Sequence, residues 1–384
     1  MYHAKKFYAI YSMAEKPPPV RRGINEPPTS SVIQGPRMGF IEDIEANLQM
    51  IQARIKHPDF KLIDMEVGRY TQTRVVMAYI EGVADPDVTR KIEQKIKEIN
   101  IDGIVDSNYI AQFLQDEKVK FFRQVGSDEK PDIIAAKILE GRIAIFVDGT
   151  PQVLTVPYIL FEDVQHSDDY YSLSANVSLR RFLRIVGCVI AVLGPGLFIA
   201  VQLYHYNIMP FNMLVAITGT SHNSPFSPML EIIFVLILFE VLYEASLHAP
   251  RHIGAVTGLL GALVLGEVAI RSGLLSPPAV LVGAMSVIFM YVIPDLASQI
   301  SILRFAFAII GGIFGLFGIV IAGLVLVIYL AGLDSYGAPY LAPYAPYIKS
   351  DTKDGIFKSS VRDMKTRPKS IPNVNKRRLK NEKD

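Results

Sequence analysis

From Ile185 to Leu333 the chain almost stops using charged residues, and this constrains the fold more than any other feature. Up to about Leu179, charged and apolar residues alternate as they do in a soluble α/β domain. A run of about 20 apolar residues spans a bilayer as a helix, because only a helix satisfies its own backbone there. The pattern therefore predicts an α-helical polytopic membrane domain preceded by a soluble α/β domain. With 384 residues, 50% of them hydrophobic, there is length enough for both. The divisions expected are a Pro-rich segment over 1–38, a cytosolic α/β domain over 39–179, a membrane domain over 180–346 and a basic cytosolic tail over 347–384.

Five hydrophobic segments compete for the membrane, within an expected range of about 4–6 helices. Ile185 to Tyr204 is free of charge and follows Arg180, Arg181 and Arg184. Pro228 to Leu247 is second and acidic. Ile253 to Ile270 is interrupted by Glu267, Ala279 to Ile293 is fenced by prolines, and Phe305 to Leu333 is longer than one bilayer needs. No signal-peptide core can form before Glu15 and Lys16, so the first domain is expected to stay in the cytosol. The tail "NKRRLKNEK" favours the same side by the positive-inside rule, so both ends are expected there and the crossings should be even in number. Lysines and arginines just beyond a membrane domain orient it and touch anionic lipid, and a solvated tail without a nucleic-acid role is expected.

The soluble half reads element by element. Phe40, Ile44, Leu48, Ile51 and Ile55 recur at helical spacing from Gly39 onward. "FKLIDMEVGRY" and "TRVVMAYIEG" alternate as a strand pair, and Asp85-Pro86-Asp87 opens an amphipathic helix, giving an α-β-β-α unit. A second helix starts at Pro131 and stops at Gly141, and "RIAIFVDGTPQVLTVP" is a hairpin about Asp148-Gly149. The strand order cannot be read.

The acidic stretch "PMLEIIFVLILFEVLYEASLH" poses the functional question, since a carboxylate at bilayer depth costs at least ~2.5 kcal/mol on insertion scales. At about 100° per residue, Glu240 and Glu244 lie within about 40° of each other, and Glu231 lies on the opposite side about 13 Å along the axis. In a ring of subunits one face could line an aqueous pore while the other meets Arg251, Arg271 or Arg304. Alternatively, the carboxylates pair with these arginines only to lock the fold. Glu231, Glu240, Glu244, Glu267, Arg251, Arg271 and Arg304 are thus the candidate ion path or buried charge network. Glu267 and Arg271, at i and i+4, read as an intrahelical pair. "GAVTG" and "GGIFG" carry the small-residue spacing that lets helices approach closely.

Catalysis is not expected. Ser221 and His222 are adjacent, whereas a nucleophile and its base converge from different elements. "GTSHNSPFSP" reads instead as a polar loop. Neither an H-E-x-x-H zinc motif, a phosphate loop nor a dinucleotide fingerprint occurs. The single cysteine, Cys188, excludes an intramolecular disulfide, and no cofactor or metal is implied.

Several longer stretches carry a family resemblance: "GPRMGFIED", "VGRYTQTRVVMAYIEGVAD", "KPDIIAAKILEGRIAIFVDGTPQVLTVP", "DDYY", "LLSPPAV" and "GLFGIVIAGLVLVIYLAGLDSYGAPYLAP". Together, over about Arg22 to Pro346, they resemble the A-subunit family of bacterial spore germinant receptors, the GerA type. The resemblance implies a multi-pass subunit in the inner membrane of the spore, assembled with a transporter-like B subunit and a lipoprotein C subunit. It further implies a homo-oligomer, with a pentamer the suggested form, that conducts ions when a nutrient signals the end of dormancy. A non-conducting scaffold subunit and an accessory protein of the SpoVAF type are the alternatives. Family members carry a further N-terminal subdomain ahead of "GPRMGF", where this chain has its Pro-rich opening.

Overall fold

The computed structural model describes residues 35–378 apart from 120, 222–223 and 249–265. The chain divides into two compact units. Of the described residues, the first holds those through Tyr158, Asp334–Ala338 and those from Lys365, and the second holds those of Ile159–Leu333 and Pro339–Met364.

The first unit is built on a five-stranded antiparallel sheet ordered β1-β2-β4-β5-β3. Its strands are β1 (Phe60–Val67), β2 (Thr73–Ile80), β3 (Gly126–Asp128), β4 (Ile143–Val147) and β5 (Val153–Val156). The expected strand pair is β1 and β2, in register from Phe60↔Ile80 to Val67↔Thr73. The expected hairpin is β4 and β5, whose turn places Gly149 at a φ of 85°, a conformation that favours glycine.

Side chains alternate across a strand, so β2 feeds two cores. Val75 and Met77 meet Val88, Ile92 and Ile96 of the Pro86–Lys97 helix and Ile110 and Leu114 of the Ser107–Leu114 helix. Val76 and Ala78 face Leu48 and Ile51 of the Ile44–Gln52 helix and Ile134 and Ile138 of the Pro131–Leu139 helix. Helices on both faces explain why "IAIFV" is apolar throughout, although the sheet is antiparallel. The first helix starts at Ile44 rather than Gly39, because the Asp43 carboxylate accepts from the Glu45 and Ala46 amides and caps it there. Phe40 lies outside the helix and packs edge-on against Phe146, 5.7 Å between ring centres.

The C-terminal stretch differs from the solvated tail that its charge implies. Residues 365–378 pack into the first unit, where Ile371 is fully buried and Val374 donates its amide to the Val83 carbonyl at 3.0 Å. Asp334–Ala338 belong to the same unit: the Ser335 hydroxyl accepts from the Tyr158 amide at 3.0 Å and donates to the Gln124 carbonyl at 2.7 Å. Boundaries drawn linearly along the sequence miss this return, because the few apolar residues that drive it lie between lysines and arginines.

The second unit contains the helices Ser174–Tyr204, Phe211–Ser221, Pro228–His248, Pro277–Met290 and Ala297–Ala331. The first begins well before Ile185, so Arg181 and Arg184 are helical rather than flanking. The Phe211–Ser221 helix takes in residues 219–221, the start of the stretch expected to be a loop. Residues 266–271 are helical, while most of the third hydrophobic segment, including "GAVTG", lies outside the described residues. The two longest helices pack together where glycines remove the side chains: a Cβ on Gly196 would strike the Phe307 carbonyl, and one on Gly311 the Gly196 carbonyl. This is the close approach expected of small residues between apolar helices.

Candidate functional site

The charged residues of the second unit fall into separate groups, each set by the element that carries it. Arg304, on the early part of the Ala297–Ala331 helix, is fully buried and donates through Nη2 to the Glu240 carboxylate on the Pro228–His248 helix. Its Nε and Nη1 have no hydrogen-bond partner among the described residues. A planar guanidinium offers five donors, so the pair satisfies only part of a cation removed from water. One turn beyond Glu240, the Tyr243 ring packs 5.4 Å from that of Tyr291.

Among the described residues, which do not include Arg251, Glu231 meets no arginine. It is 1% exposed, and its carboxylate accepts from the backbone amide of Ser276, the residue that caps the Pro277–Met290 helix. A helix N-terminus presents unpaired amides and partial positive charge, which is a favourable seat for a buried carboxylate. Pro277 and Pro278 fix where that helix begins, so the "SPP" stretch and Glu231 define one junction.

Glu244, Glu267 and Arg271 are exposed. Glu244 contacts His248 at 2.9 Å and Glu267 contacts Arg271 at 2.6 Å, both one helical turn apart. Arg251 lies outside the described residues. The structure thus joins Glu240 to Arg304, separates Glu231 from both, and leaves Glu244 on the surface of the protomer with its side chain 65% exposed. Among the described residues, no group of three or more histidines, cysteines or carboxylates is placed to hold a metal ion.

Sequence reasoning missed a denser cluster at the start of the first long helix. Asp169, fully buried, receives Arg181 Nε at 2.9 Å and both Arg184 terminal nitrogens, at 2.8 and 3.1 Å. Arg181 also donates to the Asp354 carboxylate at 2.9 Å and to the Gly355 carbonyl at 2.7 Å. Lys358 donates to the Asp169 carbonyl, and Tyr170 donates to Asp354 at 2.9 Å. Burial alone would raise the Asp169 carboxyl, but the hydrogen bonds from Arg184 and Arg181 outweigh it and hold it below the ordinary carboxylate range. Burial, with Arg184 nearby, depresses the neighbouring His166. The signal was present in "DDYY" and in three closely spaced arginines, but these read as a membrane-orienting flank because Asp354 is remote in sequence.

Among the described residues, two helical stretches, Ser174–Tyr204 and Pro294–Ala331, are long and apolar enough to cross a membrane. An antiparallel α/β unit is thus followed in the chain by helices that suit membrane association. The chain belongs to the Bacillus/Clostridium GerA spore germination protein family, which it matches over residues 4–370. It is 38% identical over 350 residues to the uncharacterized membrane protein YfkQ of Bacillus subtilis, covering 91% of this chain and 68% of that one. It is 34% identical to spore germination protein KA of Bacillus subtilis over 93% of this chain and 66% of the relative, and 31% identical to spore germination protein GerLA of Bacillus cereus over 91% and 72%. The chain therefore spans about two thirds of the length of these relatives. Among solved structures, the N-terminal domain of the A subunit of the Bacillus megaterium spore germinant receptor GerK3 is 43% identical over 32% of this chain and 99% of that one, with a TM-score of 0.27.

Proposed function

We propose that this chain is a membrane subunit of a spore germinant receptor that forms a nutrient-gated ion conduit and releases cations as germination begins. In this reading it crosses the inner membrane several times with both ends in the cytosol. It assembles as a homo-oligomer, a pentamer by family resemblance, with a transporter-like B subunit and a lipoprotein C subunit. The α/β unit couples ligand sensing in a partner to the helices, and no bond is made or broken.

The observation that carries the conduit is Glu244. An exposed carboxylate on a mostly apolar helix, paired within the chain to His248, suits water or a neighbouring subunit, and acidic rings facing a wet passage concentrate cations. The burial of Arg304 against Glu240 favours a second reading, a non-conducting scaffold whose charges lock the helices together. Purified protein in liposomes, alone and with the B and C subunits and germinant, separates them. Cation flux that falls on Glu244→Gln supports the conduit, and the absence of flux in every combination supports the scaffold.

A further inference from the structure

The Ala297–Ala331 helix is broken at Gly315, which adopts φ 62° and ψ −154°, a backbone conformation essentially reserved for glycine. A helical carbonyl at position i accepts from the amide at i+4 only if the residues between keep helical torsions. The break therefore frees the carbonyls of Gly312 and Ile313 from their amides at 316 and 317. At membrane depth such groups are costly unless another donor reaches them. The Tyr204 hydroxyl, at the last residue of the Ser174–Tyr204 helix, donates to both, at 2.8 Å to Gly312 and 3.2 Å to Ile313. Its ring also lies against Gly315, 3.1 Å from where a Cβ would stand.

The two halves of the helix differ in how they are held. Before the break, Phe307 and Gly311 meet Gly196 at backbone distance, and Arg304 is tied to Glu240. After it the contacts are between side chains: Ile319 is buried, with Leu316, Ala322 and Leu326 packed against the same cluster, while Phe317, Val320, Leu324 and Ile328 are 58–75% exposed. A backbone conformation that favours glycine and a side-chain donor on the carbonyls the bend frees thus meet at one point of the helix.

We propose that Gly315 is a conformational hinge of the second unit, and that the Tyr204 hydroxyl is the latch that holds residues 316–331 in the bent state. The alternative state is the unbroken helix, in which the Gly312 and Ile313 carbonyls recover their amide donors and Tyr204 releases. The inference stands apart from ion conduction, since it concerns the shape of one chain.

The test is a distance measurement on the full chain in nanodiscs, with Cys188→Ser and spin labels at Ile302→Cys and Val327→Cys, both on exposed positions. Gly315→Ala supplies the reference for an unbroken helix, about 38 Å between the two Cα atoms at 1.5 Å per residue. Tyr204→Phe keeps the ring and removes only the donor. It should add a second population at the unbroken-helix distance, with the ratio of states shifted roughly 2- to 10-fold from the unsubstituted protein by loss of one hydrogen bond. A single Tyr204→Phe population at the wild-type distance overturns the latch, and a wild-type distance in Gly315→Ala overturns the hinge. If Gly315→Ala fails to accumulate, Tyr204→Phe still decides by the presence or absence of its second population.

Discussion

Arg304 and Glu240 form an ion pair between two apolar helices in which the arginine is fully buried and the glutamate side chain remains 35% exposed. The asymmetry fixes which partner depends on the other. Glu240 can fall back on water, whereas Arg304 is fully buried and, among the described residues, already holds two nitrogens without a hydrogen-bond partner.

Removing the carboxylate should therefore be worse than removing the pair. Glu240→Gln strands a buried cation, a change that costs on the order of 3–5 kcal/mol when both partners are buried and somewhat less here because Glu240 is partly solvated. Subunit abundance in the membrane should fall for Glu240→Gln and recover when Arg304→Met is added, since an apolar replacement of a buried pair is tolerated. Glu244→Gln should leave abundance unchanged. Equal abundance across all three variants would show that the pair does not hold the helices.

Asp169 gives the second unit an acid-sensitive joint. Its folded carboxyl lies below the ordinary range near 4, so it binds a proton less readily than in the unfolded chain. Its contribution is complete above that range and is lost as pH falls through the depressed native value. Thermal unfolding followed from pH 7 to pH 3 should show a decline that Asp169→Asn flattens, because the variant has already lost the charge that Arg181 and Arg184 require. A parallel decline in both proteins would place the titration elsewhere.

Local chemistry was legible in the sequence, and long-range pairing was not. Asp148-Gly149, Pro131 and the Asp85-Pro86 cap mark turns and helix starts through their own backbone preferences, so the hairpin and two helices fall where expected. Nothing local tells β3 to pair with β5 at the far edge of the sheet. The helical period set Glu240 and Glu244 on one side and Glu231 on the other, yet it could not show that Glu231 would cap a helix beginning 45 residues later at Ser276. "GGIFG" fits a packing motif, and Gly311 uses it so, while Gly315 in the same pentapeptide breaks the helix. Spacing alone does not distinguish those two uses of glycine.

The crossing of the two longest helices is the packing feature most sensitive to one methyl group. A Cβ at Gly311 would enter the Gly196 backbone, which cannot move aside as a flexible side chain would. Gly311→Ala should cost about 1–3 kcal/mol through overpacking. Gly323→Ala, later on the same helix with nothing within 4 Å of the added carbon, should be neutral or stabilise by about 0.5–1 kcal/mol. Unfolding in mixed micelles compares the two directly, and equal effects would mean the helices do not meet at these glycines.

The C-terminal stretch offers the clearest separation between its charge and its fold. If it acted only through lysines and arginines, its apolar residues would be replaceable, but Ile371 is fully buried in the first unit and Asn373 donates to the Pro368 and Ile371 carbonyls at 2.7 and 2.8 Å. Arg367 extends the attachment by donating through Nε to the Leu139 carbonyl at 2.7 Å. Ile371→Ala removes buried methyl and methylene groups and should destabilise the first unit by about 2–5 kcal/mol. Lys369→Gln, at an exposed side chain two residues earlier, should change stability by less than about 0.5 kcal/mol. Protease susceptibility of the α/β unit in the intact chain provides the readout. Faster cleavage in Ile371→Ala alone is expected, whereas identical cleavage of both variants and the parent would return this segment to the role of a solvated basic tail.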